Sequence, residues 1–201
     1  GNTNFTNLSG TTLTGGTYEV FANSTMKLPA ATGIVTNAAT ILLDGTNSNI
    51  MRTSDGLDAL TPYFATNAAA GHFTIQNGRN FTTTGAYSNA GIVTIGNAST
   101  FTVNGIPTNT GELQLRGGTF GAFTGLSNSG NVNGFGTIQP LITNTGSVIA
   151  DGGTLIANNG ISGTTGTVQT NSGGTLALST FSTAGTLINN GNLSLGTNNF
   201  A

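Results

Sequence analysis

One phrase returns along the chain at intervals near 20 residues: a glycine, then alternating polar and apolar residues. It reads GHFTI from Gly71, GIVTI from Gly91, GELQL from Gly111, GNVNG from Gly130, GSVIA from Gly146, GTVQT from Gly166 and GNLSL from Gly191. Upstream it reads GTYEV from Gly16 and ATILL from Ala39, with alanine in the glycine's place. From Gly71 onward the steps are 20, 20, 19, 16, 20 and 25 residues. A unit this short cannot bury its own apolar face, but units stacked side by side can share one continuous core.

A second short strand follows in most units. It reads STFTV at 99–103, GTF at 118–120, GTI at 136–138, and GTL at 153–155 and 174–176, with a further GTL at 185–187 inside the long last step. Glycine or asparagine separates the strands, as tight turns require. Alternation with period 2 disfavours helix, and 32 glycines are too many for helix interiors. The pattern predicts an all-β fold, a single-stranded parallel β-helix (β-solenoid) of about nine rungs of ~20 residues, spaced ~4.8 Å apart. Right-handed coiling follows from the preference of parallel crossovers. One domain spans 1–201, with an insertion loop at about 50–64 in the long step between Ala39 and Gly71.

In this register the third and fifth residues of the phrase point inward: Phe73 and Ile75, Val93 and Ile95, Leu113 and Leu115, Leu193 and Leu195. Phe101, Phe120, Ile138, Leu155 and Leu176 join them from the second strand, each preceded by an outward threonine (Thr100, Thr119, Thr137, Thr154, Thr175). Two residues before the strand opener stand Asn37, Asn89, Asn109, Asn128, Asn144 and Asn189, with Thr164 taking that place once. This predicts a stacked asparagine ladder with a structural role.

Composition narrows the function. Charged residues are 5% of the chain, against about 25% in ordinary domains. Lys27, Arg52, Arg79 and Arg116 are the whole basic inventory, too few and too scattered to neutralise a run of phosphates or hold an anionic membrane. No apolar run approaches the ~20 residues that span a bilayer. There is no cysteine, hence no disulfide and no thiolate metal site. His72 stands alone and outward, which makes a poor metal site.

The acids offer two alternatives. Asp55 and Asp58, with Tyr63, sit in the insertion, where a β-helix enzyme or lectin would build a carbohydrate cleft from paired carboxylates and an aromatic. The structural alternative is a turn, with Ser54 or Asp55 capping a short helix through LDAL. Asp44, Asn47 and Asn49 in DGTNSN are weak calcium candidates, short of the carboxylates a calcium loop carries. No catalytic residue and no cofactor is expected.

The stretches TLTGGTYEV, GIVTNAATILLDG and FATNAAAGHFTIQNGRNFTTTGAYSNAGIVTIGNASTFTV, with the NTG and GGTL phrases further on, resemble β-helical repeat regions of large secreted bacterial surface proteins. These are the autotransporter and filamentous-haemagglutinin-like adhesins and PEP-CTERM-type extracellular proteins. The resemblance implies an extracellular or cell-surface stalk, adhesin or matrix role. Both ends of the chain stay in pattern, NFTNLSGTTL and GNLSLGTNNFA, with no capping helix. Bare sheet edges favour association, so the expected partners are copies of the same chain stacked head to tail, and surface or matrix polysaccharide.

Overall fold

The computed structural model describes residues 5–29, 32–163, 165–183 and 185–196. The described chain is all strand and turn, wound into nine rungs of a parallel β-solenoid. Each rung crosses three faces. The first carries short strands such as Thr36–Asn37, Tyr87–Asn89 and Leu126–Asn128. The second carries Thr17–Val20, Thr40–Asp44, His72–Gln76, Ile92–Gly96 and their successors up to Thr186–Asn189. The third carries strands such as Phe81–Thr83, Thr100–Val103 and Thr175–Leu178. In the middle rungs, Glu112–Ala122 and Ser147–Ala157 run through the corner from second face to third without a break.

The core is the set of inward columns. Phe73, Val93, Leu113, Val132, Val148 and Val168 lie in register and are buried. Phe81, Phe101 and Phe120 stack in the next column, with ring centroids 5.6 and 6.0 Å apart. Of the residues expected inward, only the last two depart: Leu193 is partly buried and Leu195 is 38% exposed.

On the first face the ladder is a continuous chain of side-chain amides. Asn37 donates through Nδ2 to Oδ1 of Asn67, Asn67 to Asn89, Asn89 to Asn109, Asn109 to Asn128 and Asn128 to Asn144, all at 2.7–2.9 Å. All six are buried. Each also donates to backbone carbonyls of its own or the following strand, for example Asn109 to Asn131 at 3.0 Å. Unpaired amides at this depth would be costly, and the ladder satisfies them.

From Gly71 onward the strand openers need glycine for a separate reason. A Cβ on Gly111 would lie 2.2 Å from the Gly91 carbonyl oxygen, and one on Gly130 would lie 2.1 Å from that of Gly111. Backbone meets backbone there, and only hydrogen fits.

Two expectations need correction. Asn189 is not in the ladder. The final rung is opened by Gly185, not Gly191: Thr186–Asn189 pairs with Thr167–Thr170 on the second face, and Asn192–Leu195 is its third-face strand. Asn189 therefore stacks on Thr170, whose hydroxyl donates to it, because a rung closes in about 20 residues and 25 would overshoot. Thr164 lies outside the described residues; Gly163 follows the pairs Ile142–Ile161 and Thr143–Ser162, and a Cβ on it would lie 2.0 Å from Asn144 O. Asn67 belongs to the ladder although it lies four residues before Gly71, since Ala68–Ala70 bulge outward of the column.

The threonine column also shifts. Thr100, Thr119 and Thr137 are in register, but Thr137 pairs with Ile156 and not with Thr154, which pairs with Thr175. In the 16-residue rung, the corner is cut short through Gly134 and Gly136, at φ 105° and 137°. A slip of two residues keeps every side chain on its own face, so the inward positions survive the shift.

At the amino-terminal end, Leu8–Ser9 folds back antiparallel on Thr12–Leu13, and Phe5 packs on Tyr18 at 6.1 Å. The first face is thus covered there, while Thr17–Val20 and Thr25–Leu28 are edge strands among the described residues.

Candidate functional site

The third face is broken between Asn49–Arg52 and Phe81–Thr83, which belong to separate sheets. The insertion fills that break. After Arg52 the chain doubles back: Met51 and Asp58 form an antiparallel bridge, Arg52 N–H donates to Leu57 O at 2.8 Å, and Ala59 N–H donates to Ile50 O at 2.9 Å. Apolar residues of the insertion then enter the core. Ala59, Leu60 and Phe64 are buried, and the Phe64 ring lies 4.8 Å from Phe73 and 5.3 Å from Tyr87. Tyr63 lies over Gly33, where a Cβ would sit 1.8 Å from its ring. The segment acts as a plug, with Ala59, Leu60 and Phe64 in the core.

Its charges are spent on holding that plug. Arg52 forms a two-pronged pair with Asp55, Nε to Oδ1 at 3.0 Å and Nη2 to Oδ2 at 2.7 Å, and its Nη1 donates to Tyr63 Oη at 3.1 Å. The guanidinium carbon is 5.4 Å from the Tyr63 ring centroid. The Asp55 carboxyl is held below the ordinary carboxylate range, first by the Leu57 N–H and then by Arg52, against the opposing effect of burial. Asp58 Oδ1 accepts from Leu60 N at 2.7 Å and Thr61 N at 2.9 Å. The capping residue is thus Asp58, and it caps a single turn closed by Phe64 N–H to Leu60 O at 2.9 Å; no helix forms through LDAL.

The calcium candidates are directed apart. Asp44 accepts from Gln76 Nε2 at 2.9 Å and from Asn77 Nδ2 at 2.7 Å. Asn47 donates to Asn23, and Asn49 Oδ1 accepts from Arg79 Nη2 at 3.2 Å. An oxygen facing a guanidinium is a poor cation ligand. Burial lowers the Arg79 pKa, with Asp58 partly restoring it, and Arg79 Nε ties back to Ser48 O at 2.8 Å. Arg79 was missed as a site residue, and it fastens the rung beneath the plug. Among the described residues no group of three or more His, Cys, Asp or Glu converges.

The remaining surface of interest is the last rung. Leu187 stands in the Val168 column and Leu195 in the Leu178 column, yet they are 39% and 38% exposed where Val168 is fully buried. No protein-family model, no curated protein and no solved structure matches the chain.

Proposed function

We propose that this solenoid is a structural segment of an extracellular stalk or filament, extended by stacking further rungs on its exposed strand edge. The observation that carries the reading is the edge formed by Thr186–Asn189 and Asn192–Leu195, which among the described residues leaves the core-column residues Leu187 and Leu195 exposed. At the other end, Thr17–Val20 and Thr25–Leu28 present matching parallel edges: Tyr18 lies in the same column as Leu187, eight rungs away. Backbone groups along such edges pair in the way β-augmentation uses. A chain with 5% charged residues offers little repulsion between copies, and the resemblance to secreted surface repeats supports the location. A carbohydrate site on the insertion is the weaker reading, since Asp55 and Asp58 are both committed to turn and ion-pair contacts.

Negative-stain electron microscopy across protein concentration tests this. Nine rungs span about 40 Å, so rods of several times that length are expected, and Leu187→Lys with Leu195→Lys shortens them to single units. Uniform single-length rods at every concentration, unchanged by those substitutions, refute self-stacking.

A further inference from the structure

The chain carries five Asn-Gly dipeptides: Asn77–Gly78, Asn104–Gly105, Asn133–Gly134, Asn159–Gly160 and Asn190–Gly191. Asn-Gly is the sequence most open to spontaneous ring closure, because glycine has no side chain to shield its amide nitrogen. Closure needs a free asparagine amide and a free glycine N–H. The fold removes one or both at four of the five. Asn77 Nδ2 donates to Asp44 and Gly78 N–H to Ser99 Oγ at 3.2 Å. Asn133 lies within the strand Asn131–Ile138 and its amide donates to Glu112. Asn159 Nδ2 donates to Gln139 O at 2.8 Å and Gly160 N–H to Ala157 O at 3.0 Å. Gly191 N–H donates to Thr170 Oγ1 at 3.0 Å. Asn104 is exposed, and among the described residues its side chain has no hydrogen-bond partner and no backbone bond engages the Gly105 N–H.

We infer that Asn104 is a specific self-modification site of the folded protein. The deprotonated Gly105 nitrogen attacks Asn104 Cγ, a C–N bond forms, and ammonia leaves with the proton. Water then opens the succinimide, at the Cγ–N bond to give aspartate or at the α-carbonyl–N bond to give isoaspartate. No oxidant or reductant is involved. The consequence is local and structural. Asn104–Ile106 makes the tight corner between Thr100–Val103 and Pro107–Asn109. A Cβ on Gly105 would lie 2.3 Å from Ala86 N, and Thr124 Oγ1 from the next rung donates to Gly105 O at 3.0 Å. An isoaspartate adds one backbone atom and one negative charge to that stacked corner, in the middle of the rod.

The test is to hold the folded chain in warm, mildly alkaline buffer and follow the five sites by peptide mapping and isoaspartyl-methyltransferase labelling. Asn104 is expected to convert at least about tenfold faster than any other, equivalent to about 1.4 kcal/mol in barrier. In urea the five rates converge, and Asn104→Ser abolishes the early signal while leaving the other four unchanged. Conversion of another Asn-Gly first in the folded protein, or equal rates with and without urea, overturns the inference.

Discussion

Replacing Asn109 with alanine removes one link from the middle of the amide ladder, and the structure fixes what is lost. Its Nδ2 donates to Asn128 Oδ1 at 2.7 Å and Asn131 O at 3.0 Å, and its Oδ1 accepts from Asn89 Nδ2 at 2.7 Å. The three bonds within 3.0 Å, at a net of about 1 kcal/mol each, come to about 3 kcal/mol, the longer one from Nδ2 to Gly111 O at 3.4 Å adds little, and the Asn128 oxygen left unpaired in the interior adds about 1 kcal/mol or more. Asn89 is less affected, since its amide keeps the Glu112 carbonyl at 2.9 Å. The expected loss is therefore about 4 kcal/mol, a fall in Tm of about 10 °C for a chain of this size. Urea unfolding followed by far-UV circular dichroism measures it. Asn189→Ala is the control: this asparagine is exposed and outside the ladder, so it should cost less than about 1 kcal/mol. Equal losses at Asn109 and Asn189, both below about 1 kcal/mol, would refute the ladder as a stabilising device.

Gly111→Ala should prevent normal stacking, because its Cβ meets the Gly91 carbonyl at 2.2 Å, whereas Gly85→Ala, with nothing within 4 Å, should be neutral; comparing soluble yield and Tm of the two checks this. Tyr87 has a fully buried hydroxyl without a partner, so Tyr87→Phe should stabilise by about 1 kcal/mol in urea unfolding. Burial raises the Tyr87 pKa, so its contribution is intact below the unfolded value of about 10 and is lost as pH rises above it; the Phe variant should lose that alkaline decline. The Asp55 pKa is depressed, so its contribution is present above the unfolded value of about 4 and is lost as pH falls below it. Asp55→Asn should flatten the acid limb of a Tm-against-pH profile.

Much of the fold is legible because a solenoid repeats its physics. From Gly71 onward glycine marks the points where backbone crosses backbone, and alternation marks the inward columns, so Phe73, Val93, Leu113 and Phe101 are readable from the sequence. Misreadings arise where the chain says the same thing twice. GTL at 185–187 and GNLSL from Gly191 both look like rung openers, and only the pairing of Leu187 with Val168 separates them. Asn67 is hidden by its displaced glycine, although a preceding Ser or Thr marks it as it marks the other ladder asparagines: TN at 36–37 and 66–67, SN at 88–89, TN at 108–109, SN at 127–128, TN at 143–144. The insertion keeps no alternation, so its acids stand out while its core residues do not. Leu60 and Phe64 fill a gap that exists only once the third face has broken.

The ladder also explains how unequal rungs share one rod. Successive ladder asparagines are separated by 30, 22, 20, 19 and 16 residues. Across that range the amide-to-amide distance stays between 2.7 and 2.9 Å. Length differences are absorbed elsewhere: the long rung doubles 53–65 back on itself and sends Ala59, Leu60 and Phe64 into the core, and the short one cuts its corner at Gly134 and Gly136, where a Cβ would meet carbonyl oxygens at 2.0 and 2.3 Å. Phe135 then lies against Gly117 and Gly153 and covers the shortened corner. A strand pair alone tolerates a slip of two without exposing its apolar face, as the third face does at Ile138 and Ala157. The first face shows no such slip from Asn37 to Asn144, because shifting one asparagine by two residues would break its amide bonds to both neighbours and leave a buried amide oxygen unpaired. The six buried asparagines therefore set where the rungs from Asn37 to Asn144 must return, and the apolar columns need only follow.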